Sequence, residues 1–274
     1  MKTIFEQIKE KKVLVAAHRG SSRGNIPPNT IAAFDIALKE GADIVEMDLF
    51  QSTDGEIFVF HTGMEPCQLD RHLKIEKLSS ERIRNLRYCN CELNETLLPL
   101  NTLDEVLEHL KGKCFLNLDR CVMIVEDVMK SVRRHGMQDQ ILLKSAPTPD
   151  CLRLIEAYAP DVCYTPVFHE KDTASERIQA MNITYSGAEL VFASEDAPIV
   201  QEAYMKTHHD AGRFLFCNAL RYSSYVPLSA GRDDDLSLTQ SEDAGWGWLV
   251  DKGFDIIQTD WTYHLVNYLN RKIR

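Results

Sequence analysis

Short apolar runs of four to six residues recur along the whole chain, at 13–17, 44–49, 57–61, 115–119, 141–144, 162–166, 189–192, 214–218 and 255–259. Helical patterns lie between most of them, at 29–40, 79–86, 103–110, 122–134, 149–157, 197–207 and 245–252. A run that is apolar throughout marks a strand buried on both faces, and strands of that kind belong to parallel sheets covered by helices. About eight strand–helix units in one chain predict an α/β fold of the (β/α)₈ TIM barrel type, with an open doubly wound sheet as the alternative. A barrel of this kind accommodates all of residues 1–274 as a single domain, with 62–100 as a short insertion after the strand that ends in His61. A barrel also makes a functional prediction, because its catalytic groups sit at the carboxyl ends of several different strands.

Helix boundaries follow from local chemistry. Asn29, Ser79 and Thr102 stand where an N-cap oxygen would accept a free backbone N–H. Gly41, Gly112, Gly136 and Gly253 stand where a helix ends in the left-handed region. The opening residues, 1–20, are charged and helical in pattern and lack the apolar core of a signal peptide.

The strand ends carry the chemistry. The run at 13–17 leads into His18, Arg19 and Gly20, either the edge of a site or a surface pair. Glu46 and Asp48 alternate onto one side of a strand, where two carboxylates repel each other. A hard metal ion relieves that repulsion, and so do bridging arginines. A turn at Asp54-Gly55 places the strand ending in His61 beside the one carrying these acids. Asp119 ends another strand, where it serves either as a third acid of the cluster or as the N-cap of the next helix. Strict alternation would put Asn117, Asp119 and Cys121 on one face.

Composition narrows the partners. The formal charge of -10 argues against nucleic acid, which requires a basic face. No stretch is long and apolar enough to cross a bilayer, so no stable membrane anchoring and a cytoplasmic location are expected. Eight cysteines without zinc spacing read as free thiols in a reducing compartment.

The segments "HRG", "PPNTIAAFDIALKEGADIVEMDLFQSTDGEIFVFH", "LNTLDEVLEHLKGKCFLNLD" and "GFDIIQTDW" together resemble the glycerophosphodiester phosphodiesterase family of TIM-barrel enzymes. The resemblance runs in order from Val13 to Trp261 and is thin between Asp150 and Ala211. It implies a divalent ion, Mg²⁺ or Ca²⁺, held by Glu46, Asp48 and Asp119. It also implies His18 and His61 as the acid–base pair and Arg19 as a phosphate ligand. Sphingomyelinase D type barrels are distantly similar and use a third aspartate.

Four departures from the family pattern stand out. Pro28 replaces a glutamate, Thr62 follows His61 in place of an aspartate, and Leu215 replaces a tryptophan. The third acid lies in Asp119-Arg120-Cys121 rather than Glu-x-Lys, so the lysine charge is missing. Alternation should turn Arg120 away from the site. Lys144, at the end of the next strand, is the expected substitute, in contact with a phosphate oxygen or Asp119; an ordinary solvated lysine is the alternative.

The expected activity is metal-dependent hydrolysis of a small phosphodiester, such as a glycerophosphodiester, to an alcohol and a phosphomonoester. A phospholipase D-like lyase that leaves a cyclic phosphate is one alternative. A catalytically silent barrel that binds a phosphorylated ligand is another.

Overall fold

A computed structural model describes residues 1–223 and 226–273. Eight parallel strands form the barrel: β1 Leu14–Ala17, β2 Ile44–Gln51, β3 Phe115–Asp119, β4 Ile141–Ser145, β5 Cys163–His169, β6 Gly187–Val191, β7 Phe214–Asn218 and β8 Ile256–Thr259. Each pairs with the next, and β8 returns to β1. The pairing of Ala16 with Ile44 and Ala17 with Val45 closes the ring. Closure excludes the open doubly wound sheet.

One expected strand lies outside the ring. Ile57–Val59 runs antiparallel to the end of β2, with Leu49 opposite Val59. The reason is the tight turn at Gly55, where φ is 92°. A parallel neighbour needs a long crossover, and a hairpin turn cannot supply one. Residues 62–100 hold the helices Glu65–Gln68 and Ser80–Arg84 and a hairpin of Arg87–Cys89 with Glu95–Pro99. Their apolar side chains, among them Leu69, Ile75, Ile83 and Tyr88, bury Phe50, Phe58 and Phe60.

Alternation sorts each barrel strand into two faces. The outward residues, such as Val15, Val45, Leu116 and Leu143, meet the helices in the main core. The inward residues at the amino end are apolar. Leu14, Ile44, Phe115, Leu142, Phe214 and Ile256 fill the base, and Ile4 from the helix Ile4–Lys11 plugs it. Each large apolar side chain buried this way contributes about 1.5–3 kcal/mol. Toward the carboxyl end the inward layer becomes polar, and Glu46, Asn117, Lys144, Thr165, Glu189, Asn218 and Gln258 are all buried. A closed apolar floor beneath a polar layer leaves one face of the barrel for chemistry.

The helix ends follow the local cap signals in part. Thr102 closes a capping box with Glu105. Thr30, not Asn29, caps Ile31–Glu40. Ser79 has the extended backbone of a cap but makes no side-chain bond to the helix. Gly41, Gly136 and Gly253 end their helices in the left-handed region. Asp119 caps nothing, since the next α-helix begins only at Val125. The helices Ser175–Gln179, Asp234–Thr239 and Thr262–Lys272 lie outside the helical patterns of the sequence. Among the described residues no helix is long and apolar enough to cross a membrane, and all eight cysteines are free thiols.

Candidate active site

Parallel register assembles the acids. Glu46 lies opposite Asn117, and Asp48 lies opposite Asp119. Carboxylate oxygens of Glu46, Asp48 and Asp119 all lie within 4.8 Å of one another. Burial pushes the Glu46 carboxyl up to about 7, and the neighbouring Asp48 adds to the shift; Lys144 and His18 oppose it. The nearby cations thus offset the burial and crowding of these acids only in part at Glu46. Both amide atoms of Asn117, beside Glu46, are buried without a hydrogen-bond partner. Three carboxylates offering oxygens this close together fit a hard divalent cation.

The backbone after β1 turns sharply to frame this cluster. Arg19 adopts φ 57° and Gly20 φ 76°. A side chain at Gly20 would sit 2.7 Å from the Ala33 carbonyl carbon, so glycine is required there. The turn lets the Arg19 N–H donate to Glu46 Oε2 at 3.0 Å, while Arg19 Nε stands 2.9 Å from Asp48 Oδ2. Asn29, left-handed at φ 60°, clamps Asp48 from both sides. Its amide donates to Asp48 Oδ2 at 2.9 Å and its carbonyl accepts the Asp48 N–H at 3.2 Å. This clamp explains why Asn29 is not a helix cap.

Lys144 is buried, with Nζ 3.2 Å from Asp119 and 3.5 Å from Glu189. The ammonium points into the site, so Lys144 is not an ordinary solvated lysine. Burial works against its charge, but Asp119 and Glu189 outweigh burial and hold its pKa well above the ordinary value. Burial likewise works against the Asp119 carboxylate. Lys144 and the Arg120 N–H overcome that effect and hold Asp119 below the usual range. Glu189 also accepts from Asn218 at 2.7 Å, and Gln258 donates to Asn218 at 2.9 Å.

The two histidines are held differently. His18 Nδ1 lies 2.8 Å from Asp260 Oδ1, which leaves Nε2 for the site. Asp260 is positioned by its own N–H, which donates to the buried Asp234 at 3.0 Å. Asp234 in turn accepts from Thr259 at 2.7 Å and from the Trp246 indole at 2.8 Å. His61 lies two residues beyond Ile57–Val59, with Nδ1 buried and unpartnered. Burial lowers its pKa, and Arg19 and Arg120 lower it further against the pull of Asp48. His18, Arg19, Arg23, Pro28, Asp260 and Trp261 line a cavity of about 340 Å³, and Arg19 connects it to Glu46 and Asp48.

The segment after Asp119 departs from expectation. Arg120 takes φ 58°, so alternation stops at the end of β3 and the side chain swings over the site. Arg120 Nη1 donates to His61 Nε2 and Nη2 to Thr62 Oγ1, each at 3.3 Å. Cys121 is carried into the core behind β3, where it is fully buried. It therefore does not share a face with Asn117 and Asp119.

Asn29, Glu189, Asn218, Gln258, Asp234 and Asp260 were not among the expected site residues. Period-two alternation from Ile256 reaches Gln258 and Asp260, so part of that signal was present. Asp234 and the buried partners of Glu189 come together only through the closed barrel.

The model of the Glycerophosphoryl diester phosphodiesterase family matches residues 18–217. A glycerophosphodiester phosphodiesterase of Caldanaerobacter subterraneus subsp. tengcongensis is 31% identical over 143 residues, 49% of this chain and 58% of that protein. The match thus spans less than two thirds of that relative's length. The crystal structure of a glycerophosphoryl diester phosphodiesterase from Parabacteroides distasonis has a TM-score of 0.79 at 18% identity, covering 96% of this chain and 87% of its own. An Oleispira antarctica phosphodiesterase, solved with the product sn-glycerol-3-phosphate, has a TM-score of 0.67 at 21% identity, covering 94% and 96%. At these identities the solved structures show the barrel fold, whereas the matched family model covers most of the chain, from His18 just after β1, through β2 to β6 and into β7. This chain belongs to the glycerophosphoryl diester phosphodiesterase family.

Proposed function

We propose that this protein hydrolyses a glycerophosphodiester, or a similarly small phosphodiester, to an alcohol and a phosphomonoester. The observation that carries the reading is the convergence of Glu46, Asp48 and Asp119 within 4.8 Å, inside the segment matched by the family. In this reading Glu46, Asp48 and Asp119 would hold one divalent ion, Mg²⁺ or Ca²⁺. When bound, such an ion supplies charge neutralisation at the phosphoryl oxygens.

The remaining steps belong to the chain's own side chains. Arg19 orients the phosphoryl group, and its ion pair with Asp48 fixes where it stands. One histidine removes a proton from the nucleophile, and the other donates a proton to the departing alkoxide. His18 is oriented by Asp260 at 2.8 Å, which sets its tautomer and leaves Nε2 toward the phosphate. His61 is kept mainly neutral by burial and by Arg19 and Arg120, a state suited to accepting a proton. Lys144 balances the charge of Asp119 and Glu189, which lessens the repulsion an incoming phosphate meets. The glycerol phosphate product held by the Oleispira phosphodiesterase supports a phosphomonoester as the product here.

The test is a panel of glycerophosphodiesters assayed with Mg²⁺, Mn²⁺ and Ca²⁺, with both products identified. Metal-dependent release of alcohol and glycerol phosphate is the expected result. A cyclic phosphate as end product would move the reading to a lyase. Binding without turnover under every metal would overturn it.

A further inference from the structure

Three cations reach the site from different elements, and their surroundings differ. Arg19 is paired with Asp48 at 2.9 Å. Lys144 is paired with both Asp119 and Glu189. Among the described residues no carboxylate stands within ion-pair distance of the Arg120 side chain. Its two hydrogen bonds go to neutral acceptors, the His61 ring and the Thr62 hydroxyl, and both are long at 3.3 Å. Thr62 is the informative neighbour, because a carboxylate at that position would take up the guanidinium charge.

Arg120 is held over the site at a backbone cost. A non-glycine residue in the left-handed region is uncommon, and a backbone conformation of this kind is disfavoured unless its surroundings hold it. The φ of 58° is what turns the side chain toward His61 instead of outward. The residue is exposed, so moving its head group by a few ångströms requires no repacking. A planar fork of donors matches two oxygens of a phosphoryl group far better than it matches a histidine ring and a hydroxyl.

We propose that Arg120 is a substrate ligand that exchanges partners on binding. It leaves His61 Nε2 and Thr62 Oγ1 for the non-bridging oxygens of the phosphodiester. Phosphate binding and the unmasking of the His61 lone pair are then one event, and His61 becomes a competent base only when an anion is in place. No covalent bond changes in this exchange. The inference rests on the phosphodiesterase reading for the identity of the ligand, and it adds a residue and an order of events that the acid–base scheme alone does not contain. Arg120 thereby supplies the cation that Cys121, buried behind the strand, cannot.

The test uses inorganic phosphate as the probe, with the full-length protein and saturating Mg²⁺. Binding is measured by calorimetry for the wild type, Arg120→Met, Arg120→Lys and Thr62→Asp. Melting curves without phosphate check folding. The wild type should bind, and Arg120→Met should bind about tenfold or more weakly, the size expected for a lost charge-assisted hydrogen-bond pair. Thr62→Asp should weaken binding similarly by capturing the guanidinium, and combining it with Arg120→Met should add nothing. Arg120→Lys should recover part of the loss. The His61 Cε1–H proton resonance should move on phosphate addition in the wild type but not in Arg120→Met. Equal phosphate affinity in wild type and Arg120→Met, no binding by the wild type, or additive effects of the Thr62 and Arg120 changes would each overturn the proposal. Turnover of glycerophosphocholine separates the two readings. Phosphate binding that depends on Arg120 without any turnover sinks the phosphodiesterase reading alone. Turnover with a KM and phosphate affinity indifferent to Arg120 sinks this inference alone.

Discussion

Replacing Lys144 by methionine should destabilise the fold, and the structure sets the size of the effect. Its ammonium is buried between Asp119 at 3.2 Å and Glu189 at 3.5 Å. Methionine fills similar volume, so little packing is lost. What is lost is the cation paired with both the buried Glu189 and the half-buried Asp119. Removing one partner of a buried pair costs about 3–5 kcal/mol, because the other partner is left uncompensated. A solvated lysine at a strand end would have left stability unchanged, and the buried geometry removes that expectation.

The pH dependence fixes the mechanism of the loss. In the wild type the Asp119 carboxyl is held below its ordinary range. A depressed carboxyl contributes stability that is present above its unfolded pKa and lost as pH falls through its folded pKa. In Lys144→Met burial is left less opposed, and the same carboxyl should titrate above its unfolded value. The variant then loses stability as pH rises, so its deficit relative to wild type widens from about pH 4 to pH 8. Urea unfolding followed by tryptophan fluorescence in the presence of chelator measures this directly. Adding Glu189→Gln to the variant should recover part of the loss. A deficit below about 0.5 kcal/mol at pH 8, the range of ordinary surface changes, would show that Lys144 does not balance these acids.

Three further outcomes follow from the same geometry. With the Glu46 carboxyl raised to about 7, an incoming divalent ion must displace a proton. Apparent Mg²⁺ affinity should therefore fall below pH 7, approaching about tenfold per pH unit, and level off above it; calorimetry giving equal affinity at pH 6 and pH 8 would contradict this. His18→Ala and His61→Ala should each lower turnover by at least about 10²-fold while circular dichroism stays native, and near-normal turnover would remove that histidine from the chemistry. Asp260→Asn should lower kcat by about 10²-fold or more by releasing the His18 tautomer, with KM nearly unchanged; a change confined to KM would assign Asp260 to substrate contact instead.

How far the sequence could be read depends on how far one local rule holds. Within a strand, side chains alternate, and that rule alone places Glu46 with Asp48 and Asn117 with Asp119 on the inner face. It holds because the ladder fixes φ and ψ residue by residue, as the register of β2 with β3 shows. Beyond the last ladder residue nothing enforces it. Asp119 ends β3, Arg120 turns left-handed, and the expected positions of Arg120 and Cys121 are exchanged: the arginine comes into the site and the cysteine goes into the core. The same limit explains Asn29. Its residue type fits a helix cap, but a left-handed backbone after Pro28 aims its amide at Asp48, and Thr30 caps the helix in its place. Glu189 shows a second limit. It sits in an apolar run, where alternation gives it a face but not a partner. Its partner Lys144 lies two strands away in the ring, reached across the barrel's interior. Only closure, with β8 returned to β1, turns eight separate inner faces into one small volume. There a cation on one strand answers an acid on another. The charges of this site are thus a property of the ring as much as of any motif, and substitutions at Lys144, Glu189 and Arg120 should be judged by that shared balance.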